Sequence, residues 1–182
     1  MNKYFFLTWA EENDESGVAW APEGTPLDHE LISELEGKDE LPFGLELREG
    51  ILVDYLGNSL AWPLMSEKMR MVIERNLTGE EGISWIKANV KARGDIFDYY
   101  VLRFRKKLDV LDMNKTTFVT GTDHVIKPCF SLAKIRIYSL FNVPQSHNLW
   151  KITIAIYIND KLRKDMIREG LSGIAFSEVR TI

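Results

Sequence analysis

An α+β fold is predicted for this chain: a mixed or antiparallel sheet with helices packed mainly on one face, plus an acidic N-terminal lobe. Three observations lead there. Several segments, DYYVLRFRKKLDVLD and WKITIAIYI among them, alternate or stay apolar over strand lengths. Two stretches, SEKMRMVIERNLTGEEGISWIKANV from Ser66 and NDKLRKDMIREGLSGIAFSEV from Asn159, share one order of residue types. Each has a polar capping residue, an acid, Lys, Met or Leu, Arg, a helical apolar pattern, then Gly-Ile and a short aromatic strand. The third observation is charge. Residues 1–60 carry fourteen Asp or Glu against Lys3, Lys38 and Arg48, a net of −11, whereas residues 61–182 carry thirteen acids against twenty bases, a net of +7. An acidic lobe at 1–60, packed on the same domain as an α+β body at 61–182, follows from that division.

The opening MNKYFFLTWA reads as a first or edge strand rather than a signal peptide, because EENDE follows at once without a small-residue cleavage site. TPLDHELISELEG reads as a helix. Thr25 stands at the N-cap, Pro26 at the first helical position, Leu27, Leu31 and Leu35 form one stripe, and Gly37 is the stop. Glu30 and Glu34 repel each other on its exposed side, and Glu34 and Glu36 lie at the negative end of the helix dipole. Local stability did not set these charges; a positive partner would, and so would drift on a solvated face. LELREGILVDYL reads as a hairpin or two short strands around Glu49-Gly50.

In the first copy of the doubled stretch, Ser66 is the cap, Glu67 sits at the positive helix end, and Met65, Met69, Val72 and Ile73 form the apolar stripe. In the second, Asn159 or Asp160 is the cap, Ile158, Leu162 and Met166 repeat the stripe, and Gly170 ends the helix. These are expected to be structural helices over a sheet, with Met69 and Leu162 buried. In DYYVLRFRKKLDVLD, Tyr100, Leu102 and Phe104 share one face and Val101, Arg103, Arg105 and Lys107 the other. Rings and cations on opposite faces do not make a single-strand nucleic-acid groove, so no nucleic-acid partner is expected. CFSLAKIRIYSLF and WKITIAIYI complete the expected strands.

With 182 residues, 45% of them apolar and 27% charged, the composition is that of an ordinary soluble domain. The longest apolar run outside the N-terminus, ITIAIYI, is far below the roughly 20 residues that span a bilayer. Cys129 is the single cysteine and cannot form an internal disulfide. A cytoplasmic protein without a membrane partner is expected, in which the sequons at Asn76 and Asn114 carry no sugar. No catalytic constellation emerges. Asp109 and Asp112 flank a turn that Asp112 is expected to cap. His29, His124 and His147 are scattered, and His124 with Cys129 is one ligand pair without a second. No cofactor, metal or catalytic residue is assigned, and the alternatives are a small enzyme using Asp109, Asp112 and His124 and, behind it, a nucleic-acid-binding module using Arg103, Arg105 and Lys107.

From about Ser59 onward the order LMSEKMRMVIE, YYVLRFRKKLDVLDMNKTTF, a strand pair ending in SLF, and INDKLRKDMIREGLSGIAFSEV resembles a bacterial immunity-protein family of polymorphic toxin systems, first catalogued as a domain of unknown function. Thr116-Thr117-Phe118 stands where that family usually has Ser before the aromatic. The resemblance implies an α+β protein that binds and neutralises a cognate toxin domain without catalysis. Many such toxins present basic clefts, to which an acidic lobe would be steered. The candidate partner-binding residues are then Glu30, Glu34 and Glu36, with aromatic anchors expected at Trp20, Phe43 and Trp62.

Overall fold

A computed structural model describes residues 3–10, 16–26, 28–179 and 181. The chain begins with β1 (Tyr4–Trp9), β2 (Val18–Trp20), α1 (Asp28–Glu34), β3 (Leu45–Leu47), β4 (Tyr55–Asn58) and β5 (Leu64–Ser66). α2 (Glu67–Glu74) continues directly from β5, and a long hairpin of β6 (Ile83–Ala92) and β7 (Asp95–Phe104) follows. Then come the small pair β8 (Thr117–Phe118) and β9 (Val125–Lys127), α3 (Leu132–Ile135), β10 (Leu140–Asn142), β11 (Ile156–Asn159), α4 (Asp160–Arg168) and β12 (Ile174–Val179).

The one sheet expected from sequence is replaced by two larger ones. Six strands close a barrel in the order β2-β3-β6-β7-β5-β4, and four form a sheet in the order β10-β11-β1-β12. The helices are not gathered on one face. Leu31 and Ile32 of α1 pack into the barrel core, while Met69 of α2, Ile135 of α3 and Leu162 of α4 belong to a second core. The boundary expected near residue 60 falls between β4 and β5, which are antiparallel neighbours in the barrel. β1 is not an edge strand: it lies between β11 and β12 and is antiparallel to both.

The doubled stretch is a doubled architecture. β5 and β6 flank β7, and β11 and β12 flank β1, all antiparallel to the strand between them. β4 extends the first unit beyond β5, as β10 extends the second beyond β11, again antiparallel. The registers match. Met65 faces Tyr55 and Tyr100, and Ile158 faces Leu140 and Phe5. Ser66 accepts the Met69 N–H at 3.1 Å and Asn159 accepts the Leu162 N–H at 2.9 Å, so each cap satisfies an otherwise orphaned amide. The Arg70 guanidinium lies 4.3 Å from the Tyr100 ring centre, and that of Arg163 lies 4.4 Å from Phe5. The central strand of the second unit is thus the first strand of the chain, which makes the units a circularly permuted pair.

Met69 and Leu162 are fully buried, as expected. The helix-bearing faces of both units meet in one shared core with Met65, Leu102, Leu7 and Ile158; each such side chain contributes about 1.5–3 kcal/mol by leaving water. The barrel interior, lined by Leu56, Trp62, Leu64, Ile86 and Val101, is a separate core. Other departures from the expected strands have local causes. Of the two readings of LELREGILVDYL, the two short strands β3 and β4 are found and the hairpin is not, because β2 pairs with both of them. β7 stops at Phe104, so Arg105 and Lys107 lie beyond the strand. Within CFSLAKIRIYSLF, the Lys134 and Ile135 amides donate to Ser131 O at 3.0 Å and wind the short α3 in place of a strand. WKITIAIYI is regular only from Ile156, since Ile152 turns into the barrel core while Ile156 and Ile158 enter the shared one.

Candidate functional site

The acidic helix α1 starts later than Thr25 predicts. The Thr25 hydroxyl donates to Pro22 O at 2.6 Å in a turn and does not cap the helix, and Leu27 lies outside the described residues. From Asp28 the pattern holds: Leu31, Ile32 and Leu35 are buried, and Gly37, with φ of 77°, ends the helical chain. This leaves Glu30, Glu34 and Glu36 exposed. Asp28 and Glu30 complement the positive end of the helix dipole, whereas Glu34 and Glu36 oppose its negative end.

Basic groups of the body offset that opposition. Arg103 is buried, with 6% of its surface exposed, and donates to Leu35 O at 3.1 Å and Lys38 O at 2.8 Å, beyond the last turn of α1. It also reaches Asp39 at 3.0 Å and Ser84 at 3.0 Å. Lys151 meets Glu36 at 3.1 Å, and the Asn148 amide donates to His29 O and to the Ser33 hydroxyl. α1 is therefore fastened to the body by three side chains that sequence reasoning did not assign to it. The alternation that places Arg103 on the face of Val101, which turns inward, is the signal that marks it for burial. The cationic row expected on β7 is corrected accordingly: Arg103 is consumed inside the fold.

Among the described residues, Glu30 and Glu34 make no ion pair, whereas Glu36 is engaged by Lys151. Burial raises the Asp28 carboxyl above its ordinary value, opposed by the neighbouring Trp62 indole and by His29. The three aromatic positions separate. Trp20 is 46% exposed on β2, with the Arg48 guanidinium 5.6 Å from its ring centre. It lines one groove with Pro22 and Asp28, so the structure brings Trp20 and the start of α1 together. Phe43 is half-buried against the barrel core. Trp62 is 2% exposed inside that core, so it has no face to offer a partner.

Among the described residues, no hydrogen bond joins the side chains considered for catalysis to one another. Asp109 pairs with Lys134 at 2.7 Å. Asp112 accepts the Asn114 amide at 3.1 Å and caps its turn, as expected. His124 Nδ1 lies 3.4 Å from the Ser146 hydroxyl, the neighbouring His147 is exposed, and Cys129 is half-buried. No group of three or more His, Cys, Asp or Glu among the described residues is arranged to hold a metal ion. No helix among them is long and apolar enough to cross a membrane.

Comparison with curated proteins gives no match. A family model does match, over residues 14–181, and its description is an immunity protein family, Imm11. The match takes in the barrel, with α1 and Trp20, and β10, β11, α4 and β12 of the second unit, but not its central strand β1. The chain belongs to the Imm11 immunity protein family.

Proposed function

We propose that this protein binds a cognate toxin domain in the bacterial cytoplasm, as part of a polymorphic toxin system, and neutralises it by direct contact. Family membership carries the reading. Neutralisation by binding requires no catalytic group, only an interface of ordinary size with a few buried anchors. The exposed acids Glu30 and Glu34, with Trp20 on the adjoining groove and Phe43 nearby in sequence, are the residues we assign to first contact with a basic toxin surface. Glu36 belongs to the same field, partly neutralised by Lys151.

Unpaired charges on an exposed helix act mainly on the rate of encounter, within about 8 Å at physiological salt. The test is stopped-flow association with the C-terminal domain of a polymorphic toxin, taken from a gene found beside that of this protein. Glu30→Lys with Glu34→Lys should slow association about several-fold, with the defect shrinking as salt rises, while dissociation changes less. The control reverses Arg105 and Lys107, which are exposed, and spares Arg103, whose loss would loosen α1 itself. An unchanged rate for the acidic double variant at low salt, with a slowed rate for the basic one, would place the interface elsewhere.

A further inference from the structure

The duplication exposes a vacancy. In the first unit, the edge of β6 facing away from β7 is occupied by residues 39–47. Lys87 donates its N–H to Asp39 O and accepts the Leu41 N–H, both at 2.8 Å, and three residues further on Leu45 pairs in parallel with Val90. In the second unit, β12 holds the place of β6. Glu178 faces Phe5 as Lys87 faces Tyr100, and three residues further on Phe130 pairs in parallel with Thr181, as Leu45 does with Val90. Upstream of Phe130 the likeness ends. The segment that would continue along β12, Val125–Lys127, is β9 and is paired with β8 instead.

Among the described residues the outer edge of β12 is left open as a result. Asp160 donates to Lys3 O at 3.1 Å and Ala10 to Gly173 O at 3.0 Å, so odd residues of β1 face β11 and even ones face β12. Ala175, Ser177 and Val179 therefore exchange bonds with β1, and the peptide groups of Ile174, Phe176 and Glu178 point away. No backbone bond reaches Phe176 or Glu178 from that side among the described residues. The opposite edge of the sheet, β10, is buried at all three residues.

We infer that the β12 edge takes an extended strand of the cognate toxin domain, laid parallel to it over Phe176 and Glu178 in the place that residues 39–41 fill on β6. The inference rests on the toxin-binding reading above. Both precedents on this edge geometry, Leu45 on Val90 and Phe130 on Thr181, run parallel. Two copies of the chain pairing β12 with β12 about a twofold axis would run antiparallel, so a strand from a different protein fits and a second copy does not. Strand addition draws its affinity from main-chain bonds, and here the Phe176 and Glu178 peptide groups supply them.

The test uses this chain and the same candidate toxin domain as the association experiment above. Hydrogen exchange should show the Phe176 and Glu178 amides open in the free protein and protected in the complex. Glu178→Pro removes an N–H that β1 does not use, as proline at an edge permits, and should weaken the complex about tenfold or more, while Glu178→Ala stays within about twofold. A complex that leaves both amides exchanging, or in which the two variants bind alike, overturns strand addition and leaves the toxin reading intact. No complex with the wild-type chain overturns both. Amide protection that rises with the concentration of the free protein would assign the edge to a second copy and overturn the inference. Because the exchange measurement is made on the wild-type chain, it stands even if Glu178→Pro fails to fold.

Discussion

In the barrel, β3 lies on the edge of β6 and β2 carries the sheet round to β4, so the inner faces of Leu56, Leu64 and Val101 close on a sealed core. In the four-stranded sheet, among the described residues, no strand stands in for β2, and Phe130 alone takes the place of β3. Where the barrel has Leu56 and Leu64, the sheet has Phe141 and Tyr157, whose rings stack with centres 5.5 Å apart. Phe130 packs edge-on to both, at 5.1 and 4.6 Å, and Phe6 lies 5.3 Å from Tyr157. One arrangement of strands has thus been completed in two ways, with added strands in one unit and larger rings in the other. A core filled by rings needs no closing strand, which is how the second unit keeps a stable interior beside an open edge.

The most damaging way to break this comparison is to empty the core that the units share. Met69→Ala and Leu162→Ala each remove a fully buried side chain at matching positions, and each should cost about 2–5 kcal/mol in urea unfolding. Both should lower a single cooperative transition. Two separate transitions, each sensitive to one variant, would mean that the units fold independently.

A difference between the units is the connection from helix to strand. After α4, Gly170 and Gly173 turn the chain quickly, both at positive φ, and a Cβ at Gly173 would lie 2.6 Å from Val53. After α2 the connection is longer and is organised by Glu81, which is 1% exposed. Its carboxylate accepts from the Thr78 amide and hydroxyl, the Gly79 amide and the Ser139 amide, at 2.9 to 3.1 Å. Glu81→Ala strands these donors and should cost about 1–3 kcal/mol, with faster exchange at Ser139. Exchange at Ser139 unchanged from wild type would show that the clamp does not join the two units.

The mildest probe is the arginine that each unit stacks on its central strand. Arg70→Ala and Arg163→Ala should each cost about 0.5–2 kcal/mol, since each loses a ring contact and an ion pair within its helix. The acids beside them add a pH signature. Arg70 holds the Glu67 carboxyl below its ordinary value, and Lys164 with Arg163 does the same for Asp160. Both contributions are present above the ordinary carboxylate pKa and are lost as pH falls through the lowered folded values. Glu67→Gln and Asp160→Asn should therefore each flatten the acid limb of the stability profile, by similar small amounts. A large asymmetry would argue that the matching geometry hides different energetics.

The parts of this fold that were legible in the sequence are those fixed by local chemistry. Ser66 announced its cap, Asn159 was one of two candidates with Asp160, and the stripes through Met69 and Leu162 announced their buried faces, because capping and helical spacing are read within a few residues. Barrel closure was not legible, since the pairing of β2 with β4 and of β3 with β6 joins short strands far apart in the chain. Thr25 misled because its hydroxyl had a nearer acceptor in Pro22 O. Trp62 misled because an aromatic beside a proline reads the same whether it faces a partner or a core. The acids of α1 were visible as charge, but the clamp that holds the helix was not, because Arg103, Asn148 and Lys151 approach it from distant segments.

The measurement that bears most directly on the account is co-expression of this chain with the proposed cognate toxin domain, followed by isolation of the pair. Binding and neutralisation predict restored growth together with a stable complex of the two proteins. Growth restored with no complex detectable, or a complex that leaves the cells unprotected, would contradict neutralisation by direct contact.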